Sequence, residues 1–149
     1  MSAAIDVNPL VYASDTSSPF HDAARAFVED VARGRELVYV FWPTAMAYLR
    51  IVTHPAIFSS PFSPREALAN LGALLRLPHV RSPGEDADFW ATFGAVTHDL
   101  PPRGNLVPDA HLVALMRTYG VDRIWTRDRD FLRFDGLHVR DPFTAAPHT

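Results

Sequence analysis

The chain has 149 residues, a formal net charge of −3 and 48% apolar residues, which together indicate one globular domain. It has no cysteine, so disulfides, zinc–thiolate sites and cysteine nucleophiles are excluded. All fourteen basic residues are arginines, and the absence of lysine excludes a Walker-type phosphate loop and a Schiff-base enzyme. The acids are skewed as well, since the seventeen acidic residues include only four glutamates.

The first residues and the apolar runs of the sequence indicate where in the cell the protein is expected. No basic segment followed by an apolar stretch opens the sequence, so it lacks the pattern of a secretory signal. The longest continuous apolar run, 37–42, is far too short to span a membrane. We therefore expect a cytoplasmic protein without a membrane partner.

Short apolar runs alternate with helical patterns along the whole chain, and thirteen prolines mark the boundaries. We expect one domain over 1–143 and a flexible tail over 144–149. The predicted elements, in chain order, are strand 3–7, a helical turn at 10–12, helix 18–33, strand 36–41, helix 43–54, helix 63–77, an edge strand at 80, helix 82–98, helix 108–119, strand 123–126, a loop or helical turn at 128–134 and strand 137–140.

Two of the predicted helix starts depend on a capping pattern. Residues 63–66 read Ser-Pro-Arg-Glu, a capping box with proline at the first helical position, and 82–85 repeat the pattern as Ser-Pro-Gly-Glu. The run LVYVF at 37–41 is typical of a central parallel strand that is buried on both faces. Strands alternating with helices predict an α/β sandwich around a mostly parallel sheet.

Four aspartates fall where such a fold places its chemistry, beyond the carboxyl ends of the strands. Asp6 ends the first strand, Asp109 lies in the first turn of a helix, and Asp128 and Asp130 follow the strand 123–126. If these ends converge, the carboxylates repel one another and raise one another's pKa. A hard divalent cation such as Mg²⁺ or Mn²⁺ relieves that repulsion. An aspartate at a strand end or in a first helical turn is equally typical of a cap, so this pattern alone leaves a metal site and structural caps both open.

Four segments carry a resemblance to a known family. They are IDVNPLVYA at the start, FWPTAMAYLRIVTHPAIFSSPFSPREAL from residue 41, GNLVPDAHLVALM from residue 104 and TRDRDFLRFDGLHV from residue 126. In this order, they resemble the PIN domain, and more closely the VapC-type toxins of bacterial toxin–antitoxin pairs. The resemblance covers nearly the whole chain.

The resemblance implies a three-layer α/β/α sandwich and an Mg²⁺- or Mn²⁺-dependent endoribonuclease that acts on RNA. It also implies a homodimer and a cognate VapB-like antitoxin that wraps the toxin. The residues that match the family's site are the acids Asp6, Asp109, Asp128 and Asp130, which would be catalytic and hold the metal, and the small polar residues Asn8 and Thr126, which would support them.

One position departs from the family pattern. The family has a glutamate in the helix after the second strand, and Ala47 stands at that position here; no other acid lies between Glu36 and Glu66. This departure leaves a second hypothesis open, that the chain is a PIN-like protein that binds RNA or an antitoxin with weak or no nuclease activity.

Other chemistry finds less support in the sequence. No two of the seven histidines are spaced i, i+4 as in a zinc helix, and there is no G-x-S-x-G nucleophile elbow. Asp6-Val7-Asn8 resembles the D-x-D opening of haloacid-dehalogenase phosphohydrolases, but Asn8 replaces the second acid and the lysine of that family is missing. Arg127 and Arg129 flank the acids and are candidates for contacts with phosphates, or for merely offsetting the acids.

Overall fold

The computed structural model describes residues 2–144; residues 145–149, most of the predicted tail, lie outside this range. Its elements are β1 (Ser2–Ile5), α1 (Val7–Ser14), α2 (His21–Arg33), β2 (Leu37–Tyr39), α3 (Trp42–Val52), α4 (Pro64–Leu75), β3 (Val80–Arg81), α5 (Phe89–Val96), α6 (Leu106–Thr118), β4 (Arg123–Trp125), a 3₁₀ helix (Arg129–Arg133) and β5 (His138–Arg140). Within 2–144, no helix combines the length and the hydrophobicity needed to cross a membrane.

The five strands form one sheet in the order β3-β2-β1-β4-β5. All four strand pairings are parallel, with Ala3 opposite Val38 and Ala4 opposite Ile124. The predicted mostly parallel sheet is confirmed. Because β1 and β4 are neighbours, the segments that follow their carboxyl ends emerge side by side.

Helices cover both faces of the sheet, since neighbouring residues of a strand point to opposite sides. Ala4 and Ile124 pack in a core built with α5, α6 and the 3₁₀ helix. Ile5 and Trp125, the next residue of each strand, pack in a second core with α1 to α4. This is a three-layer α/β/α sandwich, the predicted fold class.

The capping box at residue 63 behaves as predicted. The Ser63 hydroxyl accepts a hydrogen bond from the Glu66 amide at 3.1 Å, and Glu66 Oε1 accepts one from that hydroxyl at 3.1 Å. The helix begins at Pro64, whose missing amide hydrogen costs nothing in the first turn.

The predicted helix 82–98 is wrong over its first seven residues, because α5 begins only at Phe89. Glu85 does not cap a helix; its carboxylate instead contacts His111 Nε2 of α6 at 2.7 Å. The Tyr119 hydroxyl donates a hydrogen bond to the Gly84 carbonyl. These tertiary contacts hold 82–88 in an irregular conformation against α6, so the local capping signature is not used.

The boundary between the first strand and the helix after it also differs from the prediction. The strand expected over 3–7 ends at Ile5, and the expected helical turn is an eight-residue helix, α1. Asp6 is the N-cap of that helix, and its Oδ1 accepts a hydrogen bond from the Val7 amide at 2.8 Å. An aspartate N-cap satisfies an otherwise unpaired amide, which explains why the chain turns from strand to helix here.

Candidate metal centre

Three of the four predicted acids meet beyond the carboxyl edge of the sheet. Asp109 lies in the first turn of α6, and Asp128 is the N-cap of the 3₁₀ helix that contains Asp130. One carboxylate oxygen from each of the three lies within 4.8 Å of the others. We call Asp109, Asp128 and Asp130 the acid cluster.

Asp6 lies beside the acid cluster and is tied to it through Thr126. The Thr126 hydroxyl donates to Asp6 Oδ2 at 2.7 Å and accepts from the Asp128 amide at 2.9 Å. Thr126 is only 1% exposed, so these hydrogen bonds are shielded from water. A single buried hydroxyl therefore fixes the positions of two acids that come from neighbouring strands.

Asn8 completes the connection between β1 and β4. Its amide group donates to Asp6 Oδ2 and to the Thr126 hydroxyl, both at 3.3 Å. Its carbonyl oxygen accepts from the Arg127 amide at 3.1 Å. The geometry thus places both predicted supporting residues in contact with the acids or with the backbone that carries them.

The acids perturb one another electrostatically. Burial raises the pKa of Asp109, and the charges of Asp128, Asp6 and Asp130 raise it further, to about 6. Burial also raises the pKa of Asp6, against the opposing effect of its hydrogen bonds from Thr126 and Val7. Because ionised carboxylates this close together repel one another, a compact positive charge among them is favoured.

The donor set fits a hard divalent cation. Carboxylate oxygens are the ligands that Mg²⁺ and Mn²⁺ prefer, and Mg²⁺ is usually bound through one or two carboxylates with water. Asp109 is mostly buried, with 16% of its side chain exposed, whereas Asp130 is 62% exposed. A cation held by the acid cluster would therefore be bound from one side and open to solvent on the other.

The sequence leaves two roles open for Arg127, contact with phosphates or the pairing of nearby acids, and the structure shows an ion pair. Arg127 does not face the acids: its guanidinium lies 4.2 Å from the centre of the Phe20 ring and 5.2 Å from that of Phe143, and it pairs with Asp141 at 3.5 Å. This arrangement joins α2 to the chain after β5. Arg127 therefore makes structural contacts and does not pair with the acid cluster.

Arg133 lies beside the acid cluster but is not among the residues predicted from the sequence. Its Nη2 lies 3.8 Å from Asp109 Oδ2 and 3.9 Å from Asp130 Oδ2. A signal existed, because residues i and i+3 share a face of a helical turn and Arg133 stands three after Asp130. The sequence is compatible with a loop or a helical turn over 128–134, and only the helical form brings the two together.

The family's glutamate position and the histidines add no acid or ligand to the site. Ala47 is a partly buried residue of α3 and offers no ligand. His111 is engaged by Glu85 and by the edge of the Phe89 ring, with centroids 5.2 Å apart. In the described part of the chain, the acid cluster is the one group of three or more acids and histidines close enough to share a metal ion.

Comparisons with known proteins agree with this architecture. The family model of the PIN domain matches residues 3–137. Ribonuclease VapC48 of Mycobacterium tuberculosis is 49% identical over 145 residues, which cover 97% of this chain and 100% of that protein. Ribonuclease VapC43 of the same organism is 32% identical over 149 residues, covering 97% of each chain.

Solved structures share the fold at low sequence identity. The VapBC2 structure from Rickettsia felis, bound to a promoter DNA fragment, matches with a TM-score of 0.66 at 15% identity, covering 94% of this chain and 98% of that one. VapC20 of Mycobacterium tuberculosis, described as a sarcin–ricin loop cleaving toxin, matches with a TM-score of 0.63 at 16% identity over 91% and 98%. The chain therefore belongs to the PIN-domain family and, within it, to the VapC group.

Proposed function

We propose that the chain is the toxin of a VapBC-type toxin–antitoxin pair and cleaves RNA as a divalent-metal-dependent endoribonuclease. The observation that carries this proposal is the acid cluster, three carboxylates within 4.8 Å at the carboxyl edge of the sheet. Relatives named ribonucleases, matched over nearly their full length, support the reaction class.

Each acid has a distinct part in this proposal. Asp109 and Asp128 hold the cation from the buried side, and Asp6 adds negative charge while Thr126 keeps it in place. Asp130, the exposed acid, is an additional ligand or positions the attacking water. When bound, Mg²⁺ or Mn²⁺ supplies a Lewis acid for the phosphodiester and an acidified water.

The competing hypothesis, binding without efficient cleavage, rested on Ala47. It is not favoured, because the carboxylates of the acid cluster meet without a contribution from α3 and the relatives matched across the chain are named ribonucleases. Ala47→Glu tests it: activity that is absent from the wild type and appears in this variant would restore the binding-only hypothesis.

Two partners follow from the proposal. A VapB-like antitoxin is supported by the VapBC complexes among the similar structures. A homodimer is supported by exposed apolar side chains one helical turn apart on α3, where Trp42 is 44% and Met46 51% exposed. Light scattering of the purified chain tests the dimer: a monomer mass at micromolar concentration would contradict it.

The test of the proposed reaction is RNA cleavage by metal-stripped protein, before and after addition of Mg²⁺ or Mn²⁺. Asp109→Asn should reduce the rate by more than about 100-fold, and Asp6→Asn by about 10- to 100-fold, as is typical of losing a residue that supports a ligand. Asp122→Asn is the matched control, since Asp122 is 73% exposed and lies at the opposite end of β4. Cleavage that survives chelation, or that ignores both site variants, would contradict the proposal.

A further inference from the structure

A cation of the chain itself already touches the acid cluster. The Arg133 guanidinium approaches one carboxylate oxygen of Asp109 and one of Asp130 at 3.8 and 3.9 Å. Both distances exceed hydrogen-bond length, so the attraction is ionic and not directional. The Arg133 side chain is 44% exposed, and moving it away from the acids therefore costs little.

A second contact anchors Arg133 independently of the carboxylates. Its Nε donates a hydrogen bond to the Asp130 backbone carbonyl at 3.1 Å. This bond holds the base of the guanidinium at the rim of the acid cluster while the two terminal nitrogens stay free to exchange partners. One of them, Nη2, lies near the two carboxylates that a bound cation would use, so the two positive charges compete.

Arg129 shows that this arrangement is specific to one arginine. It lies on the same 3₁₀ helix, is exposed, and makes no ion pair within 4.0 Å among residues 2–144. Among the arginines in that range, Arg133 alone pairs with members of the acid cluster. The two residues carry equal charge on one element and differ in contact with the acids.

We propose that Arg133 balances the charge of the acid cluster before a divalent cation binds, and then turns its guanidinium to a phosphate of the RNA. The inference rests on the proposed function for its second step. Arginine suits this exchange, because its planar fork can bind either carboxylate or phosphate oxygens. Arg133 would thus be a substrate-binding residue whose contact with phosphate depends on metal binding.

The first test uses Mn²⁺ alone, without RNA. Titrating metal-stripped protein and following free Mn²⁺ by electron paramagnetic resonance measures the affinity of the wild type, Arg133→Gln and Arg129→Gln. Removing the competing ion pairs should tighten Mn²⁺ binding about fivefold in Arg133→Gln. Arg129→Gln should change it less than about twofold, because that arginine does not pair with the acids.

The second test separates KM from kcat on a single-stranded RNA oligonucleotide at saturating Mn²⁺. Arg133→Gln should raise KM about tenfold, the loss of one charged contact to phosphate, with a smaller change in kcat. Arg133→Lys keeps the charge but lacks the fork and Nε, so its Mn²⁺ affinity should stay near wild type and its KM should be intermediate. The lysine variant also keeps the test decisive if the glutamine variant fails to fold.

Several results would overturn the inference. If Arg133→Gln binds Mn²⁺ no more tightly than the wild type, Arg133 does not compete with the cation. If Arg129→Gln changes Mn²⁺ affinity equally, the effect comes from net charge and not from the contact of Arg133 with the acids. An unchanged KM in Arg133→Gln would show that Arg133 does not contact a phosphate of the RNA. In each case the wild type still binds Mn²⁺ and cleaves RNA, so the proposed function stands; a wild type that binds no Mn²⁺ overturns both.

Discussion

We expect Asp109 to make the metal-free protein less stable at neutral pH than its asparagine variant. Its pKa is raised from 3.8 to about 6 by burial and by the charges of Asp128, Asp6 and Asp130, with Arg133 acting in the opposite direction. Between these two values the folded chain holds a proton on Asp109 that the unfolded chain has lost. Stability therefore falls as pH rises through about 4 to 6, and the full penalty is present above that window.

The magnitude follows from the shift. About two pKa units at 1.36 kcal/mol each give a ceiling of about 3 kcal/mol. Asp109→Asn also loses the ion pair with Arg133, worth about 0–1 kcal/mol for a pair with an exposed partner. We expect Asp109→Asn to raise the free energy of unfolding by about 1–2 kcal/mol at pH 7.5 and to leave it nearly unchanged at pH 4.

Urea unfolding in the presence of a chelator, at pH 4 and pH 7.5, measures this difference. Asp122→Asn is the control, because the exposed Asp122 side chain does not belong to the acid cluster. Saturating Mn²⁺ should reverse the order at pH 7.5, since a cation that binds only the folded wild type stabilises it. A change that is equal at the two pH values, or a variant less stable than the wild type at pH 7.5 without metal, would contradict this prediction.

Three further predictions concern stability and are checked by urea unfolding. Thr126→Val leaves the carboxylate of Asp6 without its shortest hydrogen bond, and should cost about 1–3 kcal/mol and weaken Mn²⁺ binding; full retention of both would contradict the bridging role. Gly120→Ala should destabilise the fold by about 1 kcal/mol, because Gly120 has φ +68°, a backbone conformation that a residue with a Cβ adopts at a cost. Gly94→Ala, within α5, should stabilise it by up to about 1 kcal/mol, because alanine is the better helix former. Equal effects of the two variants would show that backbone conformation does not decide the outcome. Arg127→Gln should cost about 1–2 kcal/mol through lost aromatic contacts but leave Mn²⁺ affinity unchanged, and a change in that affinity would return Arg127 to the site.

Much of the candidate site could be predicted because parallel strands deliver their carboxyl ends to one edge. Asp6 and Asp128 follow β1 and β4, which are neighbours in the sheet, and Asp109 opens the helix before β4. The acids could therefore be placed from the predicted ends of strands and starts of helices, which prolines and capping residues mark in the sequence. The fold class followed from the same alternation of strands and helices.

The features that could not be predicted depend on contacts between distant residues. Glu85 has the local pattern of a capping residue, but His111 of α6 holds it in the folded chain. Arg127 stands beside the acids in sequence, yet its guanidinium packs against the rings of Phe20 and Phe143. Nothing in the local sequence ranks these competing partners, because their energies depend on the completed fold.

The most direct test of the central claim is a crystal structure of the chain soaked with Mn²⁺, with anomalous diffraction recorded to locate the ion. We expect an anomalous peak bonded to oxygens of Asp109, Asp128 or Asp130, at about 2.1–2.2 Å, near the metal–oxygen distance of a small hard cation. We also expect the peak to disappear in Asp109→Asn. A structure at saturating Mn²⁺ with no peak at the acid cluster, or with its peak at other residues, would contradict the claim.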